Sequence, residues 1–169
     1  MKPISISKAM NMKFPEWVGL LVTRGPNDAD PPNIMPVGWM MCCSFEPPMF
    51  AVAVGNSRYS RELLLRSPRF VVAFAGEDQA DLVRRAGTSS GRTVNKFQEF
   101  RIPHESGPIT GCPLLTQAAF NLECEAVAHI ETGDHTIFAA RILAAYAPDA
   151  PIRKLENWGG DRLAPASPG

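Results

Sequence analysis

Charge of one sign is missing from this sequence. Its 17 Lys and Arg offset 17 Asp and Glu among 169 residues, for a formal net charge of zero. A nucleic-acid binder carries a basic patch and a high pI, so that class is excluded. Long hydrophobic runs are missing too, and none approaches the roughly 18 residues that a membrane span needs. The opening "MKPISISKAM" has an early Lys2 with no long apolar segment behind it, so no signal peptide is expected and a cytoplasmic location follows. Cysteine is scarce: Cys42, Cys43, Cys112 and Cys124. None forms a C-x-x-C pair, and His104, His129 and His135 lie far from them in sequence. Adjacent Cys42 and Cys43 are too close for disulfide geometry. No metal site is expected, and Cys112 and Cys124 read as reduced core thiols. The dinucleotide fingerprint G-x-G-x-x-G is absent. "AGTSSGRT" approaches a P-loop, but Ala86 stands where the first Gly belongs and Arg92 replaces the Lys, so nucleotide hydrolysis is set aside.

What is present is a series of β-type segments. Apolar residues make up 45% of the chain, enough for a sizeable core at one-domain length. One domain is expected over residues 1–162, with 163–169 as a flexible tail, because "NWGGDRLAPASPG" is rich in Gly and Pro. Residues 17–23 and 69–74 read as strands. Residues 34–43 read as one strand interrupted by Pro36, at an edge or a bulge, and 49–54 as the next strand, after "EPP". The period changes at "GNSRYSRELLLRSP". It predicts a short helix over 58–66, capped by Asn56 or Ser57 and ended by Pro68. A second helix is expected over 77–86, ended by Gly87, then the polar loop "GTSSGRTVNKF" and an irregular stretch over 97–118. "AFNLECEAVAHIE", the turn "TGD" and "HTIFAARILAAYA" spell a long antiparallel hairpin. Strands without βαβ alternation argue against a doubly wound sheet. The expected fold is mainly β with short helices: a Greek-key or split β-barrel.

"NSRYS", residues 56–60, carries chemistry. A helix N-terminus has N–H groups without intrahelical acceptors and a partial positive charge. It suits an anion. Ser57 and Ser60 add hydroxyl donors, and Arg58 a forked cation. The same letters also spell an ordinary capped helix start with a solvated Arg58. Pattern alone leaves both readings open.

"NIMPVGWMMCCSFEPPMFAVAVGNSRYSRELL", "SGRTVNKF", "LECEAV" with "GDHTIF", and "GGDR" occur in that order. In this the chain resembles the flavin reductase-like family with an FMN-binding split barrel, and within it the flavoredoxins, from about residue 15 to 162. The resemblance implies FMN at a homodimer interface and reduction of flavin by NADH or NADPH. It implies that Asn33 and the backbone of Trp39, Met40, Met41 and Cys42 line the isoalloxazine. It implies that Ser57, Arg58 and Ser60 hold the phosphate, that Lys96 in "NKF" is a further flavin contact, and that His135 in "GDH" lies on the nicotinamide side. No catalytic triad is needed, because hydride transfer asks for alignment rather than a protein acid or nucleophile. A cation near N1 and O2 of the ring favours its anionic reduced form, a part open to Lys96 or to a helix N-terminus.

Plainer readings stand beside these. Trp39 also reads as core, Lys96 as a solvated surface lysine and His135 as a cap on the hairpin turn. Cys42 and Cys43 face opposite sides of a strand, so only one can point at a flavin. The functional reading is an NAD(P)H-dependent flavin reductase. A flavoredoxin-type FMN carrier between protein partners, and an FMN-free binding protein of the same fold, are the alternatives.

Overall fold

The structure, a computed structural model, describes residues 1–27 and 30–167. Helix α1 (Ile6–Asn11) precedes strands β1 (Glu16–Trp17), β2 (Gly19–Thr23), β3 (Asn33–Val37), β4 (Met40–Phe45) and β5 (Pro48–Gly55). Helix α2 (Tyr59–Arg66), β6 (Arg69–Phe74), α3 (Ala80–Thr88) and α4 (Lys96–Glu99) follow. Then come β7 (His104–Ser106), β8 (Pro113–Leu115), the long pair β9 (Phe120–Thr132) and β10 (His135–Tyr146), and the short β11 (Leu155–Asn157) and β12 (Leu163–Pro165).

The main sheet has the antiparallel order β3-β2-β6-β9-β10-β5-β4. Its two edges, β3 and β4, are joined only by Gly38 and Trp39. Such a link spans at most about 11 Å across its three Cα–Cα steps, so the edges are drawn together and the sheet curls into a split barrel. Leu21, Phe50, Val52, Val54, Phe70 and Phe138 fill the inside. The other face of β2 and β6 (Leu20, Val22, Val71 and Ala73) is covered by Val83, Ala86, Phe97 and Leu115 from α3, α4 and β8. Both faces of β2 are therefore buried, which explains its unbroken apolar run. Each such side chain contributes about 1.5–3 kcal/mol of burial.

The hairpin tip is stitched to the start of α2. The Asn56 amide donates to the Gly133 carbonyl at 3.2 Å, and the Thr136 hydroxyl donates to Asn56 Oδ1 at 2.8 Å. Arg61 donates to Thr136 Oγ1 at 2.7 Å and to Glu131 at 2.5 Å. Gly133 takes the left-handed turn conformation at φ 53°.

Several expectations are corrected. Residues 34–43 are two strands on opposite edges of the sheet, because the chain turns at Gly38 and Trp39. Pro36 lies in an edge strand, where its missing N–H costs no ladder bond. Neither Asn56 nor Ser57 caps α2. Arg58 holds the cap position without a side-chain bond, since Asn56 is spent on the hairpin. Helix α3 runs through Gly87 to Thr88 and ends when the Thr88 and Ser89 hydroxyls donate to the Arg84 and Arg85 carbonyls. The stretch 97–118 contains α4, β7 and β8. Within the expected tail, Leu163–Pro165 form β12, which pairs with β11. Residues 168–169 of that tail lie outside the described residues.

Candidate functional site

No side chain caps the first turn of α2. The Arg61 N–H donates to the Arg58 carbonyl at 3.1 Å, and the Tyr59 and Ser60 N–H groups are the leading ones left without an intrahelical acceptor. They border a polar cavity of about 270 Å³ lined by Ser57, Arg58, Tyr59 and Ser60, by Ser89, Ser90, Gly91 and Arg92 of the loop after α3, and by Lys96. Among the described residues, three cations and no carboxylate line it. Lys96 is only 3% exposed. Its ammonium donates to the Ile34 and Ala86 carbonyls, both at 2.7 Å. An ammonium has three protons, so one remains for the cavity. Burial, and secondarily the nearby Arg58, lower its pKa to about 8.

Behind the cavity, Asn33 is buried and its Nδ2 donates to Ser60 Oγ at 2.8 Å, while its Oδ1 has no partner among the described residues. The loop crosses directly over it. A Cβ on Gly91 would lie 2.1 Å from Asn33 Oδ1, so glycine alone permits this approach. Arg92 ties the loop to α2. It donates to the Ser57 carbonyl at 3.3 Å, pairs with Glu62 and lies 5.4 Å over the Tyr59 ring.

A second hollow of about 270 Å³ shares Met35, Pro36 and Arg58 with the first and is lined by Gly38, Trp39, Gly55 and His135. The Trp39 and His135 rings lie 4.6 Å apart with planes at 35°. His135 Nδ1 is 2.6 Å from Asp134 Oδ1. The Lys13 ammonium sits 5.2 Å over Trp39 and pairs with Glu16 at 2.7 Å. Glu16, Pro36, Val37, Gly38 and Asn157 lead on into a larger cavity, about 640 Å³, between β1, β3 and α3. The three spaces form one trough along β3.

The structure thus brings Ser57, Arg58, Ser60 and Lys96 together, and Trp39 with His135 beside Arg58. It does not bring Asn33 to Trp39: Asn33 supports Ser60 from behind, at the other end of β3. Met40, Met41 and Cys42 line a separate apolar hollow of about 380 Å³ with Phe50, Phe74 and Phe120, which meets the trough at Glu16 and Gly38. Trp39 is 46% exposed rather than core, and Lys96 is buried rather than solvated. Sequence reasoning missed Glu16, Tyr59, Gly91 and Arg92. The signal for two of them was the "SGR" of the incomplete P-loop, where a glycine precedes a cation.

The family model of the flavin reductase like domain matches residues 11–162. The chain belongs to this family. An uncharacterized protein of Archaeoglobus fulgidus is 36% identical over 119 residues, covering 70% of this chain and 67% of that one. An NADH-dependent FAD reductase of Streptomyces globisporus is 28% identical over 133 residues, covering 78% and 70%. The crystal structure of an FMN-binding protein from Thermus thermophilus with bound p-hydroxybenzaldehyde matches with a TM-score of 0.85 at 27% identity, over 98% of this chain and 95% of that one. The barrel is the flavin-binding split barrel of flavin reductase-like proteins.

Proposed function

We propose that this chain binds FMN and acts as an NAD(P)H-dependent flavin reductase, assembled as a homodimer. The polar cavity at the start of α2 carries the reading: three cations, unused helix N–H groups and, among the described residues, no carboxylate, at one end of a long trough. A phosphate ester at neutral pH carries about −1.5 to −2 charges and three acceptor oxygens. Arg92 is paired with Glu62, which leaves Arg58 and Lys96 to match that charge. The residues therefore fit the phosphate of FMN. Ser57, Ser60 and the helix N–H groups donate to it, and Lys96 offers its third proton. Met35, Pro36, Trp39 and His135 are the walls open to a ring system, and the Asp134–His135 pair holds the imidazole against Trp39. A bound flavin supplies hydride acceptance from a dihydronicotinamide and passes the electrons on. The likeness to a reductase named for NADH supports that donor class, with NADH or NADPH as the electron source.

The homodimer is supported by the outer face of the barrel. Across β4, β5, β10 and β9, Met41, Ala51, Ala139 and Ala128 form one cross-strand row, and Ala53, Ile137 and Ile130 another. Met41 and Ile130 are 62% and 61% exposed.

Titration of the purified protein with FMN and riboflavin, followed by flavin fluorescence, tests the cofactor. Arg58→Ala should weaken FMN by about 10- to 150-fold, since a charge-assisted contact is worth about 1.5–3 kcal/mol. Riboflavin, which lacks the phosphate, should hardly respond. Equal losses would place Arg58 against the ring or in the fold instead, and a protein that takes up no flavin would sink the proposal. NADH and NADPH oxidation by the loaded protein is the second measurement. Tight FMN without such oxidation would point to an electron carrier.

A further inference from the structure

The Arg92–Glu62 pair does something the rest of the cavity does not. Both side chains are partly exposed, 42% and 49%, so the pair lies at the solvent rim rather than in the floor. Through its bonds to the Ser57 carbonyl and Glu62, Arg92 straps the loop over the first turn of α2. The inner wall is Ala86, Gly87 and Lys96. A phosphate seated here has two ways to continue: into the trough, or out under the strap. Building on the FMN reading above, we propose that the Arg92–Glu62 strap makes this cavity selective for a terminal phosphate, so that FMN is held and FAD is turned away.

Space and charge both support this. In FAD the flavin side fills the trough, so the second phosphate and the adenosine must leave through the strapped rim. On that side the cavity is bounded by Ser90, Gly91 and Arg92, so the adenosine end of FAD meets the strapped loop. The charge count points the same way. With Arg92 neutralised by Glu62, Arg58 and Lys96 remain. A phosphomonoester of about −2 charges matches them. The flavin-side phosphate of FAD is a diester with a single negative charge and leaves one cation unmatched. Glu62 therefore acts on specificity without touching the ligand: it withdraws the third cation and keeps the rim shut. It is a positioning residue.

The test compares dissociation constants for riboflavin, FMN and FAD, by fluorescence titration of flavin-free protein, in wild type, Glu62→Gln and Arg92→Met. Wild type should prefer FMN over FAD by roughly tenfold or more. Glu62→Gln frees Arg92 and opens the rim. Arg92→Met opens it without adding an unpaired cation. In both variants the FMN to FAD preference should fall to within about threefold, through tighter FAD binding, with riboflavin unchanged. Both positions are exposed, so folding is not at stake. A preference that persists in both variants overturns the strap. Wild type that binds FMN no more tightly than riboflavin overturns the phosphate site itself, and with it the selectivity. That result is distinct, because it is seen before any variant is compared.

Discussion

The Lys96 ammonium sits between two carbonyls with almost no access to water, and its pKa is lowered to about 8, by burial first and by Arg58 second. The unfolded chain holds that proton to about pH 10.4. Between those values the unfolded state binds more protons, so this group makes the ligand-free fold more stable as pH rises through the window. Below it, the buried charge is a standing cost that an anion in the cavity offsets. A phosphate dianion raises the pKa of Lys96, and by linkage its affinity depends on the proton. The phosphate ester itself is fully ionised above about pH 7. FMN affinity should therefore fall by roughly tenfold from about pH 7 to about pH 9, with riboflavin flat over the same range. Lys96→Met should abolish that slope. Fluorescence titration across the range checks both, and parallel curves for FMN and riboflavin would remove Lys96 from the phosphate's neighbourhood.

Among the elements, β9 does the least obvious work. Glu123 is fully buried on it. Its Oε1 accepts from the Ile109 N–H at 3.2 Å, the Thr110 N–H at 2.7 Å and the Thr110 hydroxyl at 2.6 Å, while the Tyr146 hydroxyl donates to Oε2 at 2.9 Å. The carboxylate thus pins the 107–112 loop and β10 to one strand. Burial by itself raises the Glu123 pKa, but the Thr110, Tyr146 and Ile109 donors outweigh it and hold the pKa below the ordinary value. A depressed folded pKa means stability that is present above the unfolded value and is lost as pH falls through the folded one. Glu123→Gln keeps the shape and removes the charge. It should cost about 1.5–3 kcal/mol at neutral pH. The gap between the two proteins should narrow as pH drops below about 4. Urea unfolding at both ends of the range measures this, and a constant gap would mean that shape rather than charge holds the loop.

For the whole molecule, the face carrying Met41, Ile137 and Ile130 is the one that the proposed homodimer would cover. Ile130 is 61% exposed, so Ile130→Lys costs the isolated barrel little. Across a dimer interface the same change buries a lysine without a partner. Light scattering should show a dimer for the wild type and a monomer for Ile130→Lys. A weaker FMN affinity in the monomer would tie the interface to the flavin site. Wild type that is monomeric at the concentrations used for titration would leave this face as plain solvent-facing sheet.

Periodicity determined a good deal unaided. The strand at 69–74 and the long hairpin around Gly133 are where alternation and turn chemistry place them, because local pattern decides them. The grouping of Ser57, Arg58 and Ser60 was legible for the same reason: they are near neighbours along the chain where α2 begins. Lys96 joined them through the family resemblance, but its burial was not legible. That depends on the Ile34 carbonyl, 62 residues away in the chain. The segment at 34–43 failed as one strand because its two halves find different partners, β2 and β5, on opposite edges of the sheet. Gly91 and Arg92 looked like a broken nucleotide loop, and only the packing of Gly91 on Asn33 and of Arg92 on Glu62 gave them a place. The sequence by itself determined most of the longer elements and the grouping of Ser57, Arg58 and Ser60, since both arise from neighbours along the chain. The closure of the barrel, the buried lysine and the strapped rim were decided by tertiary structure, because each depends on groups that meet only when distant segments fold together.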